Sequence, residues 1–140
     1  MIRVTDDLAA CLALRRIVFI EEQGVSVEEE VDGLDPGATH LLATGEDGRP
    51  LGTARLLDLG DTGKIGRVCV LPEARGTGLG AALIRAAVAE FRTRPAIRKV
   101  KLGAQTHALG FYEKLGFAAY GPEYLDAGIA HRDMVLVLTA

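Results

Sequence analysis

Alternating apolar and polar positions predict strands over most of the first half of the chain. Residues 1–4 form a short candidate strand. Residues 39–44 and 51–59 form two more, which the turn-forming residues 45–50 would join as an antiparallel hairpin. A second glycine-containing turn leads into residues 64–71, which we expect to be the next strand of the same sheet.

Apolar residues at a spacing of three to four predict two longer helices. The first has Thr5 or Asp6 as its expected cap and extends to about Ile20, with an apolar stripe of Leu8, Leu12, Ile17, Val18 and Phe19. The second begins near Gly78, and Pro95 prevents its continuation. Its buried face is predicted to be Leu79, Leu83, Ile84, Ala87, Val88 and Phe91.

The remaining elements are shorter. Residues 24–37 are acidic and predicted to be a loop with one helical turn at most. Residues 100–102 form a short strand, residues 105–115 a helix closed by Gly116, and residues 134–138 a terminal strand. Because the antiparallel strands come first and helices alternate with strands later, we expect an α/β fold of the mixed α+β kind, with helices on both faces of the sheet.

Composition indicates one globular domain spanning residues 1–140, with an aliphatic core. Hydrophobic residues make up 49 % of the chain and aromatic residues only 5 %. No apolar run approaches the roughly 18 residues of a membrane span, and the first residues lack a signal-peptide pattern. We therefore expect a cytoplasmic protein without a membrane partner. The two cysteines, Cys11 and Cys69, are expected to be buried, and no metal site is expected.

Charge is segregated along the chain. Residues 17–48 contain nine acidic residues and no lysine or arginine, whereas residues 64–101 contain nine basic residues and two acidic ones, a net charge of +7. The basic segment is suited to an anion and the acidic one to a cation. Overall acidity and the scarcity of aromatic residues argue against nucleic-acid binding.

The junction over residues 71–80 carries the strongest chemical signal. A strand end, a glycine-rich turn and the start of a long helix follow one another there, and the first N–H groups of a helix attract anions. Arg75 adds a fork of donors. The residues Gly76 to Ala81 also match G-x-G-x-x-A, but four residues separate the strand from the first glycine. Bases occupy the region where a dinucleotide site needs an acid, so this alternative fails.

Two signatures in order resemble the GNAT superfamily of acyl-CoA N-acyltransferases. The first is Arg75-x-x-Gly78-x-Gly80. The second runs from Gln105 through Ala108 and Tyr112 to Gly116-Phe117, with glutamine where asparagine is the commoner residue. Other segments resemble an ElaA-like subgroup: Val18-Phe19, Glu22-Gln23-Gly24, His40-Leu41-Leu42, Gly52-Thr-Ala-Arg55-Leu56, Gly66-Arg67-Val68 and Ala127-Gly128-Ile129-Ala-His131.

The resemblance implies a twisted, mostly antiparallel mixed sheet of about six to seven strands. It also implies direct transfer of an acetyl group from acetyl-CoA to a primary amine of a small molecule or peptide, and it makes a homodimer a family expectation. The residues expected to bind the acetyl-CoA are Val68, Cys69, Val70, Arg75, Gly76, Thr77, Gly78, Leu79, Gly80, Gln105 and Tyr112.

Catalytic roles follow from the same resemblance and from residue chemistry. Tyr112 is the candidate acid, because a phenol stays protonated at neutral pH and can give its proton to a thiolate. The main-chain N–H of Val70 is the chosen donor to the thioester oxygen. Many relatives carry a glutamate base on the strand over residues 64–70, and this chain has none there. Glu22, His40, His131 or a water could serve instead, with Glu22 taken as the candidate catalytic residue.

The acceptor side stays open at the level of sequence. Candidate substrate-binding residues are Glu22, His40, Arg67 and His131. Arg67 interrupts an apolar strand, so it either pairs with an acid such as Glu22 or Asp32 or binds an anionic group of the acceptor, with Arg55 as a companion. The acidic segment favours a polyamine or a lysine side chain instead. A non-catalytic acyl-CoA sensor on the same scaffold is the alternative function.

Overall fold

The computed structural model describes residues 1–138 and contains one seven-stranded sheet. Its spatial order is β1-β2-β3-β4-β5-β7-β6, and every neighbouring pair is antiparallel except β4 and β5. This confirms the mixed, mostly antiparallel sheet. The strands are β1 (Ile2–Thr5), β2 (Thr39–Thr44), β3 (Pro50–Leu59), β4 (Thr62–Val70), β5 (Lys99–Gln105), β6 (Ala118–Asp126) and β7 (Ile129–Val137).

Four α-helices accompany the sheet: α1 (Leu8–Arg15), α2 (Val27–Glu30), α3 (Leu79–Arg92) and α4 (Leu109–Glu113). A π-helix, Arg16–Glu22, continues α1 without a break, and π-helical turns are frequent at functional sites. Short 3₁₀ turns occupy Asp35–Gly37, Pro72–Ala74 and Thr106–Ala108.

The helices cover both faces of the sheet, as predicted. Successive side chains of a strand point to opposite faces, and in β2 Leu41 and Ala43 join one buried cluster while Leu42 joins another. The larger cluster includes Leu83 of α3, and Tyr112 of α4 packs against it. The smaller cluster includes Cys11 of α1 and is joined by Phe19 of the π-helix.

The first helix departs from its predicted cap and face. Asp7, not Thr5 or Asp6, is the N-cap, and its side chain accepts a hydrogen bond from the Ala10 N–H. The buried residues are Cys11, Leu14, Arg15 and Val18, whereas Leu12 and Ile17 of the predicted stripe are partly exposed. The prediction followed apolar side chains alone and so missed that an arginine lies on the buried face.

The C-terminal third contains more strand than predicted. β5 and β7 are longer than residues 100–102 and 134–138, and β6 was not predicted, because it is mostly exposed and shows no apolar alternation. The helix predicted over residues 105–115 is shorter. Gln105 ends β5, and a 3₁₀ turn precedes α4.

The single parallel contact of the sheet is short. β4 and β5 pair only at Thr62 with Lys99, Gly63 with Val100 and Lys64 with Lys101. A Cβ atom on Gly63 would lie 2.5 Å from the Phe91 ring, so a glycine is needed where α3 packs on this end. Beyond Lys64 the two strands no longer pair, which leaves an opening in the middle of the sheet.

Candidate functional site

A cavity of about 500 Å³ occupies the opening between β4 and β5. Gly66, Arg67 and Val68 line it from β4, and Gly103 and Gln105 line it from β5. Residues from both faces of the sheet also contribute, since the lining includes Phe19 and Gln23 from the α1 side and Ala108 and Tyr112 from the α4 side. The cavity therefore passes between the two strands, through the plane of the sheet.

A β-bulge in β4 lies at this opening. The pairing of β3 with β4 shifts register between Thr53 and Arg55, opposite the segment from Gly66 to Cys69. Arg67, within that segment, has a φ of 51°, a left-handed value that is unfavourable for a side chain of this size. Strained backbone of this kind is often found where a side chain or backbone group must be aimed at a ligand.

The end of β4 offers main-chain groups on its unpaired edge. The Leu71 N–H donates to the Leu51 carbonyl at 2.9 Å and so faces β3. Because successive residues of a strand point their N–H groups to opposite edges, the Val70 N–H faces away from β3, toward the opening. Of the three β4 residues expected to bind the acetyl-CoA, Val68 lines the cavity, whereas Cys69 and Val70 do not.

The side chain of Cys69 is not available for chemistry. It packs in the smaller core cluster on the α1 side of the sheet. Burial raises the pKa of its thiol to about 12, which leaves the group protonated and inert. Any role of Cys69 at the opening must therefore be carried by its backbone.

The glycine-rich loop has the form of an anion site. Gly76 and Gly78 adopt φ values of 77° and 84°, which glycine accepts without strain, and Gly78 is the residue before α3. Within residues 1–138, the backbone N–H groups of residues 76–81 donate no hydrogen bond to a protein acceptor. Six donors and the positive end of a 14-residue helix are thus left for a ligand.

Arg75 and Glu22 hold the loop against the π-helix. The Arg75 guanidinium donates to both Glu22 carboxylate oxygens, at 2.7 and 2.6 Å, and its Nε donates to the Val70 carbonyl at 3.1 Å. The Arg75 hydrogen bond lowers the pKa of Glu22. A carboxylate that is paired in this way is a weak proton acceptor, and Glu22 does not line the cavity.

Tyr112 and Gln105 meet at the cavity although they do not share a helix. Gln105 lies at the end of β5, and its amide donates to Gln23 Oε1 at 3.2 Å. Tyr112 projects from α4 and packs edge-on against Phe111 and Phe117. Burial raises the pKa of the Tyr112 phenol, so the group keeps its proton throughout the neutral range.

His131 is held in one orientation at the cavity lining. Its Nδ1 lies 2.7 Å from the Ile129 carbonyl, and its ring stacks on Tyr124 with centroids 5.9 Å apart. A carbonyl can only accept, so Nδ1 carries the proton, and in the neutral ring Nε2 holds the lone pair. The Tyr124 hydroxyl donates to Asp133 at 2.7 Å, and this hydrogen bond holds the Tyr124 ring in place beneath His131.

His40 is placed elsewhere. It is buried in β2, outside the cavity lining, and its Nε2 lies 3.0 Å from the Asp35 carbonyl. By the same reasoning Nε2 donates, and the ring supports the segment that contains Asp35. The structure therefore brings Arg67, Tyr112, Gln105 and His131 together at the cavity, and separates His40 from them.

A buried network of guanidinium and carboxylate groups lies beside the cavity. The Arg15 Nε donates to Glu30, and Arg15 also donates to both oxygens of Asp35 at 2.7 and 3.2 Å. Arg55 donates to both oxygens of Asp32 at 2.8 Å and to Asp35 at 3.3 Å. The Arg55 hydrogen bonds hold the pKa of Asp32 well below its usual range.

The same network changes the pKa of Asp35. Burial acts to raise the pKa of this carboxyl, but the hydrogen bonds and charges of Arg15 and Arg55 together outweigh burial and lower it. Arg15, Glu30 and Asp35 were missed as site-supporting residues at the level of sequence. The available signal was an arginine on the buried face of the first helix, since a buried charge requires partners, and the acid-rich residues 24–37 follow that helix in the sequence.

Residues 1–138 contain neither a metal site nor a membrane-spanning helix. No group of three or more histidine, cysteine or acidic side chains is arranged to hold a metal ion there. The same part of the chain has no helix that combines the length and apolar character needed to cross a membrane.

Comparison with known proteins identifies relatives of the whole chain. The family model for the acetyltransferase (GNAT) domain matches residues 18–138. The uncharacterized N-acetyltransferase YjcF of Bacillus subtilis is 34 % identical over 131 residues, which cover 93 % of this chain and 92 % of that protein.

Two solved structures are similar along their whole length. An acyl-CoA N-acyltransferase from Pseudomonas aeruginosa is 36 % identical with a TM-score of 0.84, and the comparison covers 97 % of each chain. ElaA from Escherichia coli is 29 % identical with a TM-score of 0.84 and covers 97 % of this chain and 99 % of its own.

Proposed function

Because the chain belongs to the GNAT acetyltransferase family, we propose that it transfers the acetyl group of acetyl-CoA directly to a primary amine, within a ternary complex. The observation that carries this proposal is the opening between β4 and β5. It holds a cavity of about 500 Å³, and the strand that forms one side of it runs into a loop with unused backbone N–H groups.

The loop is suited to the pyrophosphate of acetyl-CoA. Residues 76–81 present N–H groups at the N-terminus of α3, and phosphate groups bind well at such termini. The Arg75 side chain is engaged by Glu22 and Val70, so its role in this proposal is to hold the loop rather than to contact phosphate. The remainder of the cofactor would extend along the unpaired edge of β4, with the Val70 N–H donating to the thioester oxygen.

Tyr112 is the acid of the proposed reaction. The amine nitrogen attacks the thioester carbon, a C–N bond forms and the C–S bond breaks, and the departing thiolate takes the phenolic proton. Burial, which raises the pKa of Tyr112, keeps the phenol protonated, so the proton is still present when the C–S bond breaks. The phenolate then recovers a proton from solvent.

His131 is the base of the proposed reaction. The Nδ1–H bond to Ile129 leaves Nε2 as the accepting nitrogen of a side chain that lines the same cavity as Tyr112. Nε2 would accept a proton from the attacking amine and pass it to solvent. Glu22 is not carried forward in this role, because its carboxylate is paired with Arg75 away from the cavity lining.

A transfer assay tests this function. The protein is incubated with acetyl-CoA and a panel of amino acids, amino sugars, polyamines and lysine peptides, and both free CoA thiol and acetylated amine are measured. We expect equal amounts of the two products with at least one class of amine, and little thiol without an amine. Tight binding of acetyl-CoA with no amine-dependent thiol release would instead identify an acyl-CoA sensor.

A further inference from the structure

Three guanidinium groups and three carboxylates form one cluster beside the cavity, but they do not share their contacts equally. Arg15 contacts the carboxylates of Glu30 and Asp35, and Arg55 contacts those of Asp32 and Asp35. Arg15 and Arg55 therefore make the closest contacts with these three carboxylates. Arg67 is the third guanidinium at the same cluster, and both of its carboxylate neighbours, Glu30 and Asp32, are shared with another arginine.

Arg67 uses only one of its three nitrogens for hydrogen bonds. Its Nη2 donates to the carbonyls of Glu29 and Glu30, at 3.3 and 3.0 Å, and to Asp32 Oδ2 at 3.2 Å, an oxygen that already accepts from Arg55. Its Nε is 3.6 Å from the nearest oxygen of Glu30, beyond hydrogen-bond distance. One nitrogen of the three thus makes all of its hydrogen bonds.

Two donors in this cluster are buried without a partner. Among residues 1–138, the Nε atoms of Arg55 and Arg67 are inaccessible and donate to no acceptor. Arg55 is 4 % exposed, and both side chains line the cavity. Nitrogens that are closed to water are also closed to a ligand, so the donor that Arg67 offers to the cavity is Nη1, which makes no hydrogen bond within residues 1–138 and is not among the buried atoms.

The acidic residues of the neighbouring segment are less available than their number suggests. Glu30, Asp32 and Asp35 are bound to arginines, and Glu29 Oε1 accepts from Ser26 at 3.0 Å. Within residues 24–37, the carboxylates that no arginine contacts are those of Glu28 and Glu29, and of these two Glu29 lines the cavity. Burial is the main cause that lowers the pKa of Arg67. The charges of Arg55 and Arg15 act in the same direction, and those of Asp32 and Glu30 oppose them.

We propose that the acceptor amine carries an anionic group, a carboxylate or a phosphate, and that this group binds Arg67 in the cavity. The inference rests on the proposed function and names the class of its second substrate. The bulge and the strained φ of 51° at Arg67 turn this side chain into the opening, where it can contact the anionic group.

The test compares amines that differ in one group. β-Alanine, 2-aminoethyl phosphate and β-alaninamide present the same amine with a carboxylate, a phosphate and a neutral amide, and spermidine serves as the polycation. Binding to the CoA-loaded protein is measured by calorimetry and kcat/KM by thiol release. We expect at least one anionic amine to exceed the neutral amide about 10- to 100-fold in both, as charged hydrogen bonds of this kind provide.

Two variants test whether Arg67 causes the preference for anionic amines. Arg67→Gln should lower the ratio of kcat/KM for the anionic amine over the neutral amide about 10- to 100-fold. Lys64→Gln is the matched control, because it removes the same charge from an exposed position of the same lining and should leave that ratio unchanged. The carboxylate and the phosphate are distinguished by which of the two amines loses more in Arg67→Gln.

Several outcomes would overturn the inference. One is a preference of the wild-type protein for the neutral amide or spermidine, and another is failure of both anionic amines to bind the CoA-loaded protein. A third is an equal effect of the two variants. Acetyl transfer to neutral or cationic amines alone would reject this inference while supporting the proposed function, whereas failure to bind acetyl-CoA at all would reject the proposed function itself.

Discussion

Two side chains of the cavity lining, Tyr112 and His131, define which protons can move at this site. Tyr112 holds a proton firmly because burial raises its pKa. His131 has its proton on Nδ1, which leaves Nε2 free to accept another. The proposed acid and the proposed base thus line the same cavity, α4 contributing the first and β7 the second.

His131→Asn tests the base. The asparagine amide can replace the Nδ1–H donor to Ile129, but it offers no accepting nitrogen. We expect kcat/KM near neutral pH to fall about 10²-fold or more. The loss should shrink as the pH is raised, because the amine then loses its proton to solvent. The pH dependence of kcat/KM measures this, with acetyl-CoA affinity as the control. A loss that is the same at every pH would contradict a base role.

Individual residues also show what sequence can and cannot predict. That Arg67 needs a partner followed from its place in an apolar strand, and Asp32 is one of the partners found. That Glu22 pairs with Arg75 did not follow, since the two are 53 residues apart and only the fold brings them together. Residue chemistry alone did not show which of Glu22, His40 and His131 lies where a base is needed.

At the scale of elements, the opening in the sheet depends on where strand pairing stops. β4 and β5 pair over three residues, and the bulge in β4 follows that contact. The glycine loop then begins where β4 ends. The strand, loop and α3 were predictable from apolar periodicity and from glycine positions. The bulge was not, because a change of register depends on the partner strand.

Gly78→Ala tests the loop. At a φ of 84° an alanine costs about 1–2 kcal/mol, and its Cβ would contact nothing within 4 Å, so the effect is conformational. We expect weaker acetyl-CoA binding, by about tenfold, in a calorimetric titration. Gly60→Ala is the matched control, because Gly60 has a φ of 70°, equal free space and a position in the β3–β4 turn. It should lose similar stability yet bind acetyl-CoA normally, and equal affinities of the two variants would argue against the loop as the binding site.

On the scale of the whole molecule, the acidic segment is partly neutralised by arginines from separate parts of the chain. Glu30, Asp32 and Asp35 contact Arg15, Arg55 and Arg67, of which only Arg67 belongs to the basic segment over residues 64–101. This internal pairing could not be read from the distribution of charge along the sequence. Arg67 lines the cavity with its Nη1 unpaired within residues 1–138, which is why the acceptor is proposed to be anionic.

The fold as a whole was predictable to a large extent because two spaced signatures constrain it. The mixed sheet, its helices on both faces and the family are confirmed. Strand β6 was missed, because an exposed strand that is paired on one side only needs no apolar alternation. The acceptor could not be read from either signature, since both lie on the side of the site proposed for the acetyl donor.

The central claim is that Tyr112 protonates the departing thiolate at the β4–β5 opening. It is tested most directly by measuring kcat and acetyl-CoA affinity for Tyr112→Phe beside the wild-type protein. Phenylalanine keeps the packing against Phe111 and Phe117 and removes only the hydroxyl. The account predicts that kcat falls about 10²-fold or more while affinity is unchanged. Unchanged turnover in Tyr112→Phe would contradict it.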